Sequence, residues 1–390
     1  MIPILHPGFR NCSIRRIYME TLHFLFDDAL LDPVYYFPCW ESLRSSGGND
    51  FGQYTVDEVP IPGWVPRRYF VGNKKVTGRF SSYRGIVATV FDLLLQPARC
   101  IVMHSSQQTR WTQIGPWIAK QKRIPFIPVF CDAMHLTGAD RGWPAEKTAR
   151  YRKQFDYLCK RADAAIVISS EFARLLRTEY GIRDTIVIPH VPTGDAPETE
   201  VNKVRPYFVY SDGILDDEDT EIDFVLESYA VFQRRFGDSV CPSLMLIGPA
   251  THVTQARVYQ KAAFLGIRRG TVEFHGSILD RDLYLRLLGG ALAGLVPILG
   301  SVGAPYGFRA KILDYAEARV PIIACGKQES FELTGTISRN SNPNEWAEVM
   351  RSLVVEPIKD GKAVDRLSAI REDLVNPLRN FMNAVCEDSR

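Results

Sequence analysis

Short apolar runs alternate along the chain with longer stretches whose apolar residues recur at helical spacing. That alternation predicts an α/β architecture with parallel sheets. In the first half, strands are expected over Ile2 to Leu5, Val34 to Phe37, Cys100 to His104, Pro125 to Phe130, Ala164 to Ile168 and Thr185 to Pro189. Helices are expected after Ser13, over Ile86 to Leu95, Trp111 to Gln121 and Ala145 to Arg161, and after the cap-like Ser169-Ser170-Glu171. Residues 42–63 hold glycine, serine and proline without a period and read as loop. Residues 191–205, rich in proline and charge, read as a linker. A second cycle then begins, with strands expected at Tyr207 to Tyr210, Ser243 to Gly248, Val272 to His275, Ala293 to Leu299 and Val320 to Ala324. Helices are expected between them at Phe224 to Phe236, Thr254 to Gly266 and Arg281 to Gly289. The expected organisation is one domain over 1–195, a second over 204–365, and a terminal segment over 366–390 with a helix from Pro377 to Cys386. Two open α/β domains joined by a linker place ligands in the cleft outside the carboxyl ends of their strands.

The segment Gly303 to Ala324 adds chemistry to this frame. An apolar strand passes through a glycine-rich loop into a short helix, where unpaired backbone N–H groups converge. Arg309 and Lys311 bring two positive charges to that helix start, where cations are disfavoured by ~0.3–1 kcal/mol each unless an anion meets them. With the N–H groups of Gly307 and Phe308, they make a place to hold a diphosphate, and a surface pair of cations is the plainer alternative.

Length and composition narrow the class. A chain of 390 residues is expected to hold two domains. A formal net charge of +2 argues against a dedicated nucleic-acid binder, so no nucleic-acid partner is expected. No apolar run approaches the ~18 residues of a membrane span, and the opening Met1-Ile-Pro-Ile-Leu-His6 lacks the basic region of a signal peptide. Eight scattered cysteines without a Cys-x-x-Cys pair read as reduced thiols of a cytoplasmic protein.

The order of motifs resembles the donor domain of retaining glycosyltransferases of the family 4 type. The matching residues are Val272-Glu-Phe-His-Gly276, Gly294-Leu-Val-Pro-Ile298, Tyr306-Gly-Phe-Arg-Ala-Lys-Ile-Leu-Asp314 and Val320-Pro-Ile-Ile323. Ala162 to Ser170, Tyr180-Gly181 and Ile186 to Pro189 resemble the end of that family's acceptor domain. The resemblance implies the GT-B fold, two facing Rossmann-like doubly wound domains with a cleft between them and a last helix crossing back to the first. It also implies transfer of a sugar from a nucleotide diphosphate, UDP- or GDP-linked, without a metal or other cofactor. On the donor side it points to Gly8, Gly213, His275, Tyr306, Gly307, Phe308 and Asp314, with Asp314 toward the ribose. Arg309 and Lys311 would stabilise the leaving diphosphate.

The departures are as specific. The family signature has two glutamates eight positions apart around Gly-Phe-Gly; here Tyr306 and Asp314 stand at those positions and Arg309 replaces the last glycine. Relatives carry an Arg and a Lys after the first donor-domain strand, where this chain has the acidic stretch Ser211 to Thr220. A diphosphate would be repelled there, which leaves Arg309 and Lys311 to meet its charge. The family's His-Asp pair in the first domain corresponds to Cys131-Asp132, with His135 nearby; Asp132 and His135 are the catalytic candidates there, and His104 also follows a strand.

Trp64 to Arg84 interleaves six basic with five aromatic residues, including Arg67, Arg68, Lys74 and Lys75. Such a segment suits an acceptor or the inner face of a membrane, or is a solvated loop. The expected partners are a nucleotide sugar and a glycan or lipid-linked glycan acceptor, as in polysaccharide biosynthesis. The rivals are a GT-B protein whose donor site has decayed into a binding or regulatory partner, and a sugar-nucleotide epimerase or hydrolase.

Overall fold

Strands that bury both faces are continuous apolar runs, and those runs place the two sheets of this protein. The computed structural model describes residues 2–5, 33–36, 94, 97–104, 111–131, 133, 135–136, 138, 143–190, 205–212, 220–237, 241–278, 280–299, 306, 309–326, 337–358 and 362–387. The chain divides into two compact units. The first comprises Met1–Leu136, Pro144–Pro189 and Asp373–Arg390, the second Thr137–Trp143 and His190–Glu372.

The first unit holds a six-stranded parallel sheet in the order β2-β1-β3-β4-β5-β6. Its strands are β1 (Ile2–Leu5), β2 (Pro33–Tyr36), β3 (Ile101–His104), β4 (Phe126–Phe130), β5 (Ala165–Val167) and β6 (Thr185–Val187). Helices α1 (Trp111–Lys122), α2 (Ala145–Cys159) and α3 (Ser170–Tyr180) lie between them. Ser169 caps α3, its hydroxyl accepting from the Phe172 N–H at 3.2 Å, and Gly181 closes the helix in the left-handed region at φ 71°. Phe155 of α2 packs among Phe130, Phe172 and Tyr180 at ring separations of 4.9, 6.0 and 5.4 Å.

The second unit holds another six-stranded parallel sheet, ordered β12-β11-β10-β7-β8-β9. It contains β7 (Tyr207–Ser211), β8 (Ser243–Ile247), β9 (Val272–Gly276), β10 (Ala293–Pro297), β11 (Ile322–Cys325) and β12 (Ile337–Arg339). Its helices are α4 (Thr220–Phe236), α5 (His252–Phe264), α6 (Arg281–Gly289), α7 (Ala310–Glu317) and α8 (Pro343–Val355). Alternate residues of each strand face opposite ways. Phe208, Tyr210, Leu244 and Leu246 therefore join one core with α4, α5 and α8, while Tyr207, Val209, Met245 and Ile247 join another with α6 and α7. The last helix, α9 (Lys362–Glu387), starts in the second unit and its later residues belong to the first. There the Arg99 guanidinium donates to the Asn383 carboxamide at 3.2 Å. A hydrogen bond from the buried Cys100 thiol lowers the pKa of the Cys386 thiol.

Five elements differ from expectation. Helices α4 and α5 start earlier, at Thr220 and His252, ahead of the apolar runs that marked them in the sequence. β12 and α8 lie where no element was expected. α9 runs through Pro377 instead of beginning there.

One close contact links sheet and helix. A Cβ on Gly294 of β10 would lie 2.5 Å from the ring of Tyr315 on α7. Overpacking of this kind costs ~1–3 kcal/mol. Gly294→Ala is therefore expected to lower stability in urea unfolding, and that cost should vanish in a Tyr315→Ala background, a double-mutant cycle with large coupling.

Candidate functional site

β7 and β10 are neighbours, with Ala293 opposite Phe208 and Gly294 opposite Val209. From this pair the strand order runs outward in opposite directions, through β8 to β9 and through β11 to β12. This is a topological switch point, where open α/β sheets bind ligands beyond the carboxyl ends of their strands. Asp212 follows β7 directly, and Arg309 is the N-cap of α7, which follows β10. The two come together with Lys311 and Glu221 in a four-charge cluster. Lys311 Nζ donates to Asp212 Oδ2 at 2.9 Å and lies 3.9 Å from Glu221 Oε2. Arg309 Nη2 donates to Glu221 Oε1 at 2.5 Å, and its Nη1 is 3.9 Å from Asp212 Oδ2. The Lys311 ammonium also sits 4.4 Å from the centre of the Tyr210 ring, a cation–π contact.

Helix electrostatics explains the pairing in part. Glu221 lies in the first turn of α4, where a carboxylate is favoured, and Lys311 in the first turn of α7, where a cation is not. The carboxylates offset that cost. The acidic stretch expected to repel a phosphate thus supplies, at Asp212, a direct partner of Lys311.

A second network lies behind the first and ties α6 to α7. Arg281 forks between two carboxylates, donating from Nη1 to Asp314 Oδ1 and from Nη2 to Glu317 Oε2, both at 2.6 Å. Burial opposes the Arg281 charge, but the Asp314 and Glu317 carboxylates outweigh it and raise its pKa further. Tyr284 donates to Asp314 Oδ2 at 3.0 Å, and its hydroxyl lies 2.6 Å from Ser211 Oγ. Burial, reinforced by Asp314, pushes the Tyr284 hydroxyl well above its ordinary value, so it stays protonated. With its one proton given to Asp314, Tyr284 accepts from Ser211. Tyr315 completes the set: its hydroxyl accepts from the Ser211 N–H at 2.8 Å and donates to the Val209 carbonyl at 3.3 Å.

Among the residues named from sequence, Arg309 and Lys311 are thus brought together at the switch point. Asp314 is 2% exposed, with both carboxylate oxygens engaged. Tyr306 is half-buried between β10 and α7. His275 is on the outer strand β9, two strands from β7, with its Nε2 3.7 Å from Glu273. In the first unit, His135 is buried beyond β4 with its ring 4.7 Å from that of Phe155. Burial, with a smaller push from Arg152, lowers its pKa to about 4, so it is neutral at pH 7. Gly8, Arg67, Arg68, Lys74, Lys75, Asp132, Gly213, Gly307 and Phe308 lie outside the described residues. Sequence reasoning missed Arg281, Tyr284 and Glu317. The signal was present in Arg281, a cation in the first turn of a helix, the same anomaly that singled out Lys311.

No family model and no curated protein sequence matches the chain. Solved structures do. HepE of Anabaena, in complex with UDP and glucose, matches with TM-score 0.61 at 12% identity, covering 99% of this chain and 98% of that one. A sucrose-phosphate synthase from Thermosynechococcus elongatus matches with TM-score 0.62 at 12% identity, covering 98% and 99%. A UDP-forming trehalose-phosphate synthase from Burkholderia xenovorans matches with TM-score 0.59 at 12% identity, covering 100% and 99%. The fold is GT-B. Within it, this chain carries paired charges, with carboxylates after β7 and cations at the start of α7.

Two measurements test this account of the two units. Arg281→Gln leaves two buried carboxylates without their cation and is expected to cost ~3–5 kcal/mol in denaturant unfolding. Adding Asp314→Asn and Glu317→Gln should recover much of that loss. His135 has a folded pKa below its unfolded value of 6.5, so the unfolded chain binds the extra proton. Its contribution is complete above pH 6.5 and is lost as the pH falls toward 4, roughly 3 kcal/mol in all. His135→Phe should flatten the pH dependence of stability in that window.

Proposed function

We propose that this protein is a glycosyltransferase that moves a sugar from a UDP-sugar to a glycan or lipid-linked glycan. The observation that carries the reading is the placement of Lys311 and Arg309 together at the switch point of a GT-B donor-side sheet. The UDP and glucose held by the HepE structure support a UDP-linked donor.

In this reading the bond between the anomeric carbon and the diphosphate breaks as the acceptor oxygen bonds to that carbon from the same face. The acceptor proton passes to the departing phosphate oxygen, so configuration is retained and no protein base is required. Lys311 and Arg309 face the charge that grows on the diphosphate, and this preorganised stabilisation takes the place of a metal ion. Asp314 then acts as the support of α7 through Arg281 and Tyr284, with Tyr306 nearer the donor sugar. The basic and aromatic segment 64–84 is the proposed contact for a lipid-linked acceptor at the inner face of a membrane. Among the described residues, no helix is long and apolar enough to cross one.

A thermal-shift panel of UDP, GDP, ADP and their sugars tests the reading. UDP and a UDP-sugar are expected to raise the melting temperature of the wild type, by ~2.7 kcal/mol of stabilisation at 100 times the dissociation constant. Lys311→Ala should abolish the shift and lower turnover on a UDP-sugar by ~100–1,000-fold. No shift with any nucleotide, or one indifferent to Lys311→Ala, would overturn the reading.

A further inference from the structure

Asp212 Oδ2 sits 2.9 Å from Lys311 Nζ and 3.9 Å from Arg309 Nη1, one carboxylate oxygen between two cations. That is the position a phosphate oxygen would take. The side chain of Lys311 is only 6% exposed, whereas that of Asp212 is 38% exposed. An anion approaching from solvent therefore meets Asp212 before it can reach the ammonium. With Glu221 included, these four side chains carry two positive and two negative formal charges, which balance one another.

The two carboxylates are not equivalent. Glu221 is 16% exposed, stands on α4 and is bound most closely to Arg309. The Asp212 backbone is anchored, its N–H donating to the Ile247 carbonyl at 3.0 Å, but it lies past the end of β7. Its side chain, 38% exposed against 16% for Glu221, is the more accessible of the two carboxylates.

We propose that Asp212 is an internal competitor for the phosphate position, paired with Lys311 in the resting protein and displaced when a diphosphate binds. This rests on the donor-site reading above and adds its regulation. Binding then exchanges one anion for another at Lys311, which limits affinity for the phosphates without touching recognition of the nucleoside. As UDP departs, Asp212 returns as the counter-ion of a buried ammonium, so release does not leave that charge unpaired.

The experiment is isothermal titration of wild type, Asp212→Asn and Asp212→Ser with UDP, uridine and inorganic pyrophosphate. Asn keeps the shape of Asp and removes its charge; Ser provides a second variant if Asn perturbs the loop. Both variants are expected to bind UDP and pyrophosphate roughly tenfold more tightly than wild type, a screened fraction of the full Coulomb effect. Uridine binding should be unchanged, which a merely structural role of Asp212 would not produce. Equal or weaker binding of UDP and pyrophosphate by both variants would overturn the proposal. If UDP binds none of the proteins while pyrophosphate still favours the variants, the nucleotide-sugar reading falls and the competitor role stands. Failure of all three proteins to bind any of the ligands would overturn both.

Discussion

Covering both faces of a parallel sheet with helices is the constraint from which the arrangement in the second unit follows. All five residues of β7 are buried, so the strand has no side on which to carry charge. Polar chemistry is pushed to the carboxyl ends, and the switch between β7 and β10 opens the place where two of those ends can converge. Lys311, Arg309, Asp212 and Glu221 meet there because the core excludes them elsewhere. The network of Arg281, Asp314, Glu317 and Tyr284 is the foundation beneath it, joining the helix before β10 to the helix after it. Breaking a buried ion pair costs far more than forming one gains. The start of α7 is therefore held in place by a buried network of charges.

The resemblance to family 4 glycosyltransferases and the geometry meet most closely in what has been exchanged. Where the family that the sequence resembles is expected to carry cations, this chain carries Asp212 after β7. Where that family is expected to carry glycine inside the signature, it carries Arg309. In the structure these two residues belong to one cluster, Asp212 bound most closely to Lys311 and Arg309 to Glu221, with 3.9 Å between Arg309 Nη1 and Asp212 Oδ2. A close fit also links Tyr315 and Gly294, a large ring on the helix facing a residue with no side chain on the strand.

Much of the framework was legible in the sequence because its signal is local. Apolar runs marked the strands of both sheets apart from β12, and the glycine-rich loop with two cations drew attention to the start of α7. The partners of those cations were not legible. Lys311 and Asp212 are 99 residues apart, and Arg281 and Asp314 are 33 apart, distances over which no periodic pattern connects them. α8 was readable in principle from Asn342 followed by Pro343, an N-cap with proline in the first turn. β12 was not, since three residues are too few to show alternation.

The path of α9 has a consequence for how the protein is made. The first unit takes in Asp373–Arg390, residues that follow the whole of the second unit in the chain. As the polypeptide leaves the ribosome, the second unit has all its strands before the first has the helix that carries Asn383 and Cys386. The order of completion is thus the reverse of the order of synthesis. Until the last turns emerge, Arg99 and the buried Cys100 beside β3 lack the surface against which they pack. The side of β3 that meets α9 is thus the last part of the first unit to gain its cover, which in α9 includes the buried Leu378 and Met382.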